Sequence, residues 1–365
     1  SVTVAPAMLL GALALVLQAG RADASGSTLV WLLGALALES LALLAGSFAL
    51  LALTEAAAAA FLATHAFRAR RRAQGTYLLL AAALFSAAGG LTGAGPPSVL
   101  ACGLAVAGAL VRLGVFPCAT GALSALGREL NLGTLLAALP FGGVLVLIRA
   151  NQSLAASEAL AWAHDLLLLS APLAAALALT QRELGRSVGY LLAAVHALIA
   201  LGALDPSATG QLGGELLWAS TLLTASGFGA AASLVVLRIG DPDLSRHHGL
   251  HHNAPLLSLA FLILGMGLAG APGTIDFIAD DVLLSGASSE GLASMALVVI
   301  TLALIGFNAL RLQFRLFFGV STPSRDYLRT KPRERLGLFL AMGAVVLGGL
   351  APGLLPLVQA ASGAH

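Results

Sequence analysis

The chain has little charge. Asp, Glu, Lys and Arg together make up 10% of its 365 residues, and Lys331 is the only lysine. Cysteine is almost absent. Cys102 and Cys118 lie sixteen residues apart in apolar context, which excludes a disulfide-framed secreted domain and an iron–sulfur set. Both read as thiols inside a membrane. No Walker motif, G-x-G-x-x-G dinucleotide turn or haem-like ligand pair occurs, so no cofactor is expected in this chain. Any driving energy must come from an ion gradient or a partner. The net charge of +2 is spread over loops and suggests no nucleic-acid partner. Ten-residue alternating strand patterns are missing too, which disfavours a β-barrel.

Apolar residues are abundant, at 58% with a mean hydropathy of +0.93. Runs of 17 to 25 residues recur from end to end, each long enough to cross about 30 Å of hydrocarbon as a helix. The expected fold is an all-α polytopic membrane protein of about twelve spans, near 4–20, 28–46, 48–67, 75–92, 97–121, 131–149, 157–180, 187–203, 214–237, 253–286, 291–318 and 335–358. The chain starts at Ser1 rather than methionine, so further N-terminal sequence is expected. No cleavable signal pattern, soluble domain or long Gly/Ser linker is visible.

Basic residues alternate along these spans. Every Lys and Arg except Arg112 and Arg149 falls in an odd-numbered gap: Arg21, Arg68 to Arg72, Arg128, Arg182 with Arg186, Arg238 with Arg246, Arg311 with Arg315, and the loop from Arg325 to Arg335. The even gaps at 92–97, 204–214 and 286–290 carry none. By the positive-inside rule the odd gaps are cytoplasmic and both termini lie outside, in a bacterial inner membrane.

Two spans are interrupted, at Phe116-Pro117-Cys118 and at Ala271-Pro272-Gly273. Proline removes a backbone donor, so the freed carbonyls need protein or water partners. If spans two to six form one five-helix unit and seven to eleven another, the break falls in the fourth helix of each, and the units enter from opposite sides. That is the pattern of an inverted repeat, with broken helices marking a transport path. The expected organisation is an N-terminal helix at 1–27, a first repeat at 28–150, a second at 151–320, and a C-terminal loop and helix at 321–365.

At these residues the chain resembles the antiporter-like membrane subunits of respiratory complex I, with their relatives in Mrp cation/proton antiporters, membrane-bound hydrogenases and inorganic-carbon uptake complexes. Leu268-Ala-Gly-Ala-Pro-Gly-Thr-Ile-Asp-Phe-Ile-Ala-Asp-Asp-Val-Leu-Leu284 is similar to the family's second broken helix. Gln181-Arg-Glu-Leu-Gly-Arg-Ser-Val-Gly-Tyr190 with His196, Leu36-Ala-Leu-Glu-Ser40 through Glu55, and the loop Asp243-Leu-Ser-Arg-His-His-Gly-Leu250 are similar to three further family motifs. The resemblance covers essentially the whole chain and implies helices three to fourteen of a fourteen-helix fold. It implies a proton- or cation-translocating subunit, itself non-catalytic, of a redox- or gradient-driven complex. Its partners would be other membrane subunits, lipid and a peripheral catalytic subunit on the cytoplasmic side. The alternative is a degenerate scaffold, or the membrane partner of a CO2/bicarbonate uptake complex. Departures favour that alternative: Arg112 stands where the family carries a lysine, the next helix offers Phe141 where a second lysine or histidine is usual, and Arg-Glu-Leu-Asn-Leu-Gly-Thr134 replaces P-T-P-V-S.

Ionisable groups inside hydrocarbon are expensive and usually functional. Glu55 with Arg112 reads either as a gating ion pair, as the resemblance implies, or as a fixed pair keeping helices in register. Arginine can switch partners but does not release a proton as lysine does. Asp280 with Asp281 reads as a relay or as a wet outer pair, and Asp276 as a cap of the half-helix that follows. His196 is a proton carrier or a hydrogen-bonded packing residue. Glu39 faces either the path or another subunit. His65 could link Glu55 to the cytoplasm, and His164 with Asp165 forms a protonatable pair or a membrane-end cluster. Arg246-His-His-Gly-Leu-His-His252 reads as a solvated or docking loop rather than a metal site.

Overall fold

The computed structural model describes residues 26–68, 72–93, 95–116, 118, 141–154, 158–320 and 330–351. Among them are twelve α-helices: α1 Gly26–Leu44, α2 Phe48–Arg68, α3 Arg72–Thr92, α4 Val99–Leu113, α5 Phe141–Ser153, α6 Ala161–Thr180, α7 Leu184–Ala203, α8 Ala208–Ile239, α9 Pro255–Gly267, α10 Ile275–Glu290, α11 Leu292–Phe317 and α12 Pro332–Leu350. No strand occurs among the described residues, only a single bridge between Glu183 and Asp243. The span expected at 4–20 lies outside them. Six helices, α2, α3, α6, α7, α8 and α11, are long and apolar enough to cross a membrane. The expected all-helical, multi-pass membrane architecture is what is found.

Helices α1 to α4 pack in chain order, with α5 set against α1, α2 and α4. Helices α6, α7 and α8 pack likewise, α10 lies along α8, and α12 touches α8, α9 and α10. The two groups meet at α7, which contacts both α4 and α5. Helix α7 is buried on every side except at Arg186 and Tyr190. Its small residues allow that enclosure: a Cβ at Gly202 would stand 2.6 Å from the Cα of Gly214 on α8. By contrast α11 shows Leu292, Val299, Ile300 and Phe307 outward, as a lipid-facing helix should.

At both expected breaks a helix ends, but at limits that differ from those read in the sequence. Helix α4 stops at Leu113, before Pro117. Gly114 there takes a left-handed φ of 70°, its N–H donates to Val111 O at 3.2 Å, and the Val115 N–H donates to Leu110 O at 3.0 Å. Those two bonds tie off carbonyls the helix end would otherwise leave open. The second break is wider than Ala271-Pro272-Gly273, running from Leu268 to Thr274 with Gly270 at φ 65° and Gly273 at φ 87°. Helix α10 then runs through 286–290, which the sequence reading made a loop; Gly286 lets it pass so close to Gly210 that no Cβ would fit. Helix α8 starts at Ala208 rather than 214, because the Ser207 hydroxyl caps it by accepting the Gly210 N–H at 3.0 Å.

Candidate ion pathway

Arg112 occupies the last turn of α4, where the helix dipole favours a cation. Its guanidinium is buried between two carboxylates. One terminal nitrogen donates to Glu39 Oε1 of α1 in a short contact, and Nε lies 3.5 Å from Glu55 Oε2 of α2. The expected partner, Glu55, is therefore the looser of the two. Glu39 does not face another subunit; it is 1% exposed and also accepts the Gly142 N–H from the first turn of α5 at 2.8 Å. Gly142 adjoins Phe141, so no charged side chain stands beside the cluster at that position. A Cβ at 142 would fall on the Glu55 carboxyl, so a larger residue there would have to displace that side chain. Glu55 is fully buried and neither of its oxygens accepts a hydrogen bond; the second guanidinium nitrogen of Arg112 makes none either. The cluster thus holds two carboxyls, one permanent cation and one backbone donor. Opposite charge this close in a dry site is worth far more than at a surface. One negative charge nevertheless stays uncompensated unless a proton or another cation joins.

His196 lies on the enclosed helix α7, also buried. Its Nδ1–H donates to the carbonyl of Leu113 at 3.1 Å, the residue after Arg112. The imidazole therefore satisfies a carbonyl freed by the first break and ties the first helix group to α7. Nearby, the Phe116 N–H donates to Ser170 Oγ of α6 at 2.9 Å.

On α10, which follows the second break, the charges are all acidic. Asp276, in the first turn of α10, is not the expected cap: Thr274 holds the N-cap position, and the Asp276 carboxyl instead contacts Ser220 and Thr224 of α8. Asp280, one turn on, is buried beside Gly270 with neither oxygen hydrogen-bonded. Asp281 does not join it; the next residue on a helix turns away, and Asp281 is exposed.

A third group sits where α6, α10 and the α7–α8 turn meet. His164 Nε2 is 2.9 Å from Glu290 Oε1, so its partner is Glu290 rather than the exposed Asp165. Asp205 accepts the Ser207 N–H at 2.7 Å and its hydroxyl at 2.6 Å, while burial pushes its carboxyl above the usual range. His65, half-buried in the last turn of α2, stands ten residues from Glu55, about 15 Å along the helix.

The histidine-rich loop docks on α11 and its own turn. His247 Nδ1–H donates to Phe314 O at 3.1 Å, Arg315 donates to His247 Nε2 at 3.2 Å, and His248 Nε2–H donates to Asp243 O at 3.0 Å. Among the described residues no group of three or more His, Cys, Asp or Glu is placed to hold a metal.

Gly142, Asp205 and Glu290 are not among the residues the sequence singles out, and Asp276 reads there only as a cap. The spacing of Asp276 and Asp280, one helical turn, is a signal present in the sequence. The adjacency of Glu290 to His164 is not, since it depends on α10 continuing past 286.

A sequence profile described as NADH:quinone oxidoreductase/Mrp antiporter, TM, matches residues 7–306. NADH-quinone oxidoreductase subunit N of Trichlorobacter lovleyi is 29% identical over 183 residues, which is 49% of this chain and 36% of that protein. The chain thus spans about a third of that relative's length. Among solved structures, a chain of respiratory complex I from Thermus thermophilus with bound NADH aligns with a TM-score of 0.81 at 23% identity, covering 98% of this chain and 84% of that one. A chain of the archaeal membrane-bound sulfane sulfur reductase aligns with a TM-score of 0.78 at 18% identity, over 96% and 64%. At those identities the likeness is one of fold.

Proposed function

The chain belongs to the NADH:quinone oxidoreductase/Mrp antiporter transmembrane family, and from that premise we propose that it is a proton-translocating membrane subunit of a larger complex. The observation that carries the reading is the buried Glu39–Arg112–Glu55 cluster, with one more acid than cation. Arg112 remains charged throughout. Glu39, held by Arg112 and the Gly142 N–H, is the anchored partner. Glu55, which accepts no hydrogen bond and meets Glu39 carboxyl to carboxyl, is the group that takes up and gives back the proton. As Glu55 gains or loses charge the guanidinium shifts between the two acids, and α4 ends on the carbonyl that His196 holds. His196 then carries the state of the first centre to α7, and Asp280 completes the route beyond the second break. His65 serves access to Glu55 from the cytoplasmic end and His164 with Glu290 the opposite end, while the exposed Asp165 and Asp281 take no part. On this reading 28–150 and 151–320 are inverted five-helix units, flanked by 1–27 and 321–365. The chain sits in a bacterial inner membrane with both termini outside, and it works beside other membrane subunits and a cytoplasmic peripheral one.

Proton flux into vesicles containing the chain and the subunits that co-purify with it tests the reading. Glu55→Gln and Asp280→Asn should each lower flux by about 10²-fold or more, the scale of a lost acid–base group. Unchanged flux in both rejects it.

A further inference from the structure

The route above uses Asp280 and gives Asp276 nothing to do. Yet Asp276 is fully buried, and its surroundings on α8 have an unusual property. Ser220 Oγ lies 2.7 Å from Asp276 Oδ1 and 3.1 Å from the carbonyl of Leu217. Thr224 Oγ1 is in short contact with Asp276 Oδ2 and 3.1 Å from the carbonyl of Ser220. A hydroxyl has one hydrogen and can give it to only one of the two. With Asp276 ionised, both hydroxyls turn to it. With Asp276 protonated, the hydroxyl facing its O–H turns back to its helix carbonyl and accepts, while the other goes on donating to the remaining carboxyl oxygen. Every polar group is satisfied either way, which is the requirement for a group that must accept a proton inside hydrocarbon without a buried unpaired penalty.

Asp280 is the complement. It lies four residues on along α10, so the two Cβ atoms are about 6 Å apart. Neither of its oxygens has a partner. Its Oδ2 presses against Gly270, where a side chain would take its place. No basic side chain pairs with either aspartate among the described residues. On α8, Arg238 pairs with Glu334 of α12 at 2.5 Å. On α11, Arg311 donates to Gln181 O at 2.6 Å and Arg315 to Ser245 O at 3.3 Å. Helix α9 carries no charge, and α12 approaches α10 with Gly348 and Gly349.

We propose that Asp276 and Asp280 form a two-carboxyl relay holding one exchangeable proton, with Asp276 as its acceptor and the Ser220 and Thr224 hydroxyls as the switch that accommodates the move. The O–H bond on Asp280 breaks, one forms on Asp276, directly or across a water, and the pair keeps its single negative charge. The assignment rests on the reading of Asp280 as part of a proton route.

Infrared difference spectroscopy of the full chain in lipid, with exchange into D2O, tests the pair at equilibrium. A protonated-carboxyl band should vanish in Asp280→Asn. In Asp276→Asn, which keeps the shape, the band should persist but exchange about 10²-fold more slowly. Ser220→Ala with Thr224→Val keeps both acids and should slow exchange in the same way, so a poorly folding Asp276 variant does not end the test. If Asp280→Asn leaves the carboxyl bands unchanged, or if exchange in Asp276→Asn and the hydroxyl variant is as fast as in the wild type, the relay is overturned. None of these readouts needs flux. A wild-type chain that conducts no protons would reject the proposed function and leave the pair's proton sharing measurable.

Discussion

In the first centre two carboxylates from α1 and α2 close on a guanidinium from α4, while in the second two carboxyls one turn apart on α10 face hydroxyls and glycine. Both lie at the break of a helix, and both bury more acid than the surroundings neutralise. They solve the problem differently. The first uses a cation that stays charged, so its members attract strongly and the cluster also ties α1, α2, α4 and α5 together. The second uses neutral donors with alternative acceptors, so little of the packing depends on which aspartate holds the proton. Structural weight should therefore concentrate in the first centre, and freedom to exchange in the second.

The strongest break of that contrast is Arg112→Leu. It leaves two buried acids without their cation and should cost about 3–5 kcal/mol, the loss expected when one partner of a buried ion cluster is removed. Thermal and denaturant unfolding in detergent would register it, and a loss below about 1 kcal/mol would mean water already solvates the cluster. Within the first centre, Glu39→Gln should destabilise more than Glu55→Gln by about 1–2 kcal/mol, since only Glu39 carries both a charged hydrogen bond and a backbone donor. Equal losses would erase the division into anchor and carrier. The smallest effect belongs to the second centre: Ser220→Ala should cost only about 1 kcal/mol, because Thr224 still serves Asp276. A loss as large as that of Arg112→Leu would show that the second centre is structural as well.

The sequence made the fold class, most spans and the two breaks legible, because apolar run length and basic-residue alternation report directly on the membrane. It also isolated Glu55, Arg112, His196 and Asp280 as charges that could not lie in loops. What it did not disclose were partners set by close helix approach. That Arg112 binds Glu39 more tightly than Glu55 depends on where the α5 N-terminus lies, and Gly142 carries no signal of its own in a glycine-rich chain. Asp276 looked like a cap because it sits in a first helical turn; only the packing of α10 on α8 turns it toward Ser220 and Thr224. The end of α4 was misplaced because proline was taken as the breaker, when Gly114 ends the helix before Pro117 is reached.

The most direct test of one route through both centres is proton flux in vesicles for Glu55→Gln, Asp280→Asn and the variant carrying both. If the centres act in series, the double variant should be slowed by about the same 10²-fold as the more severe single one. Flux losses that multiply, or a single variant that conducts as well as the wild type, would contradict it.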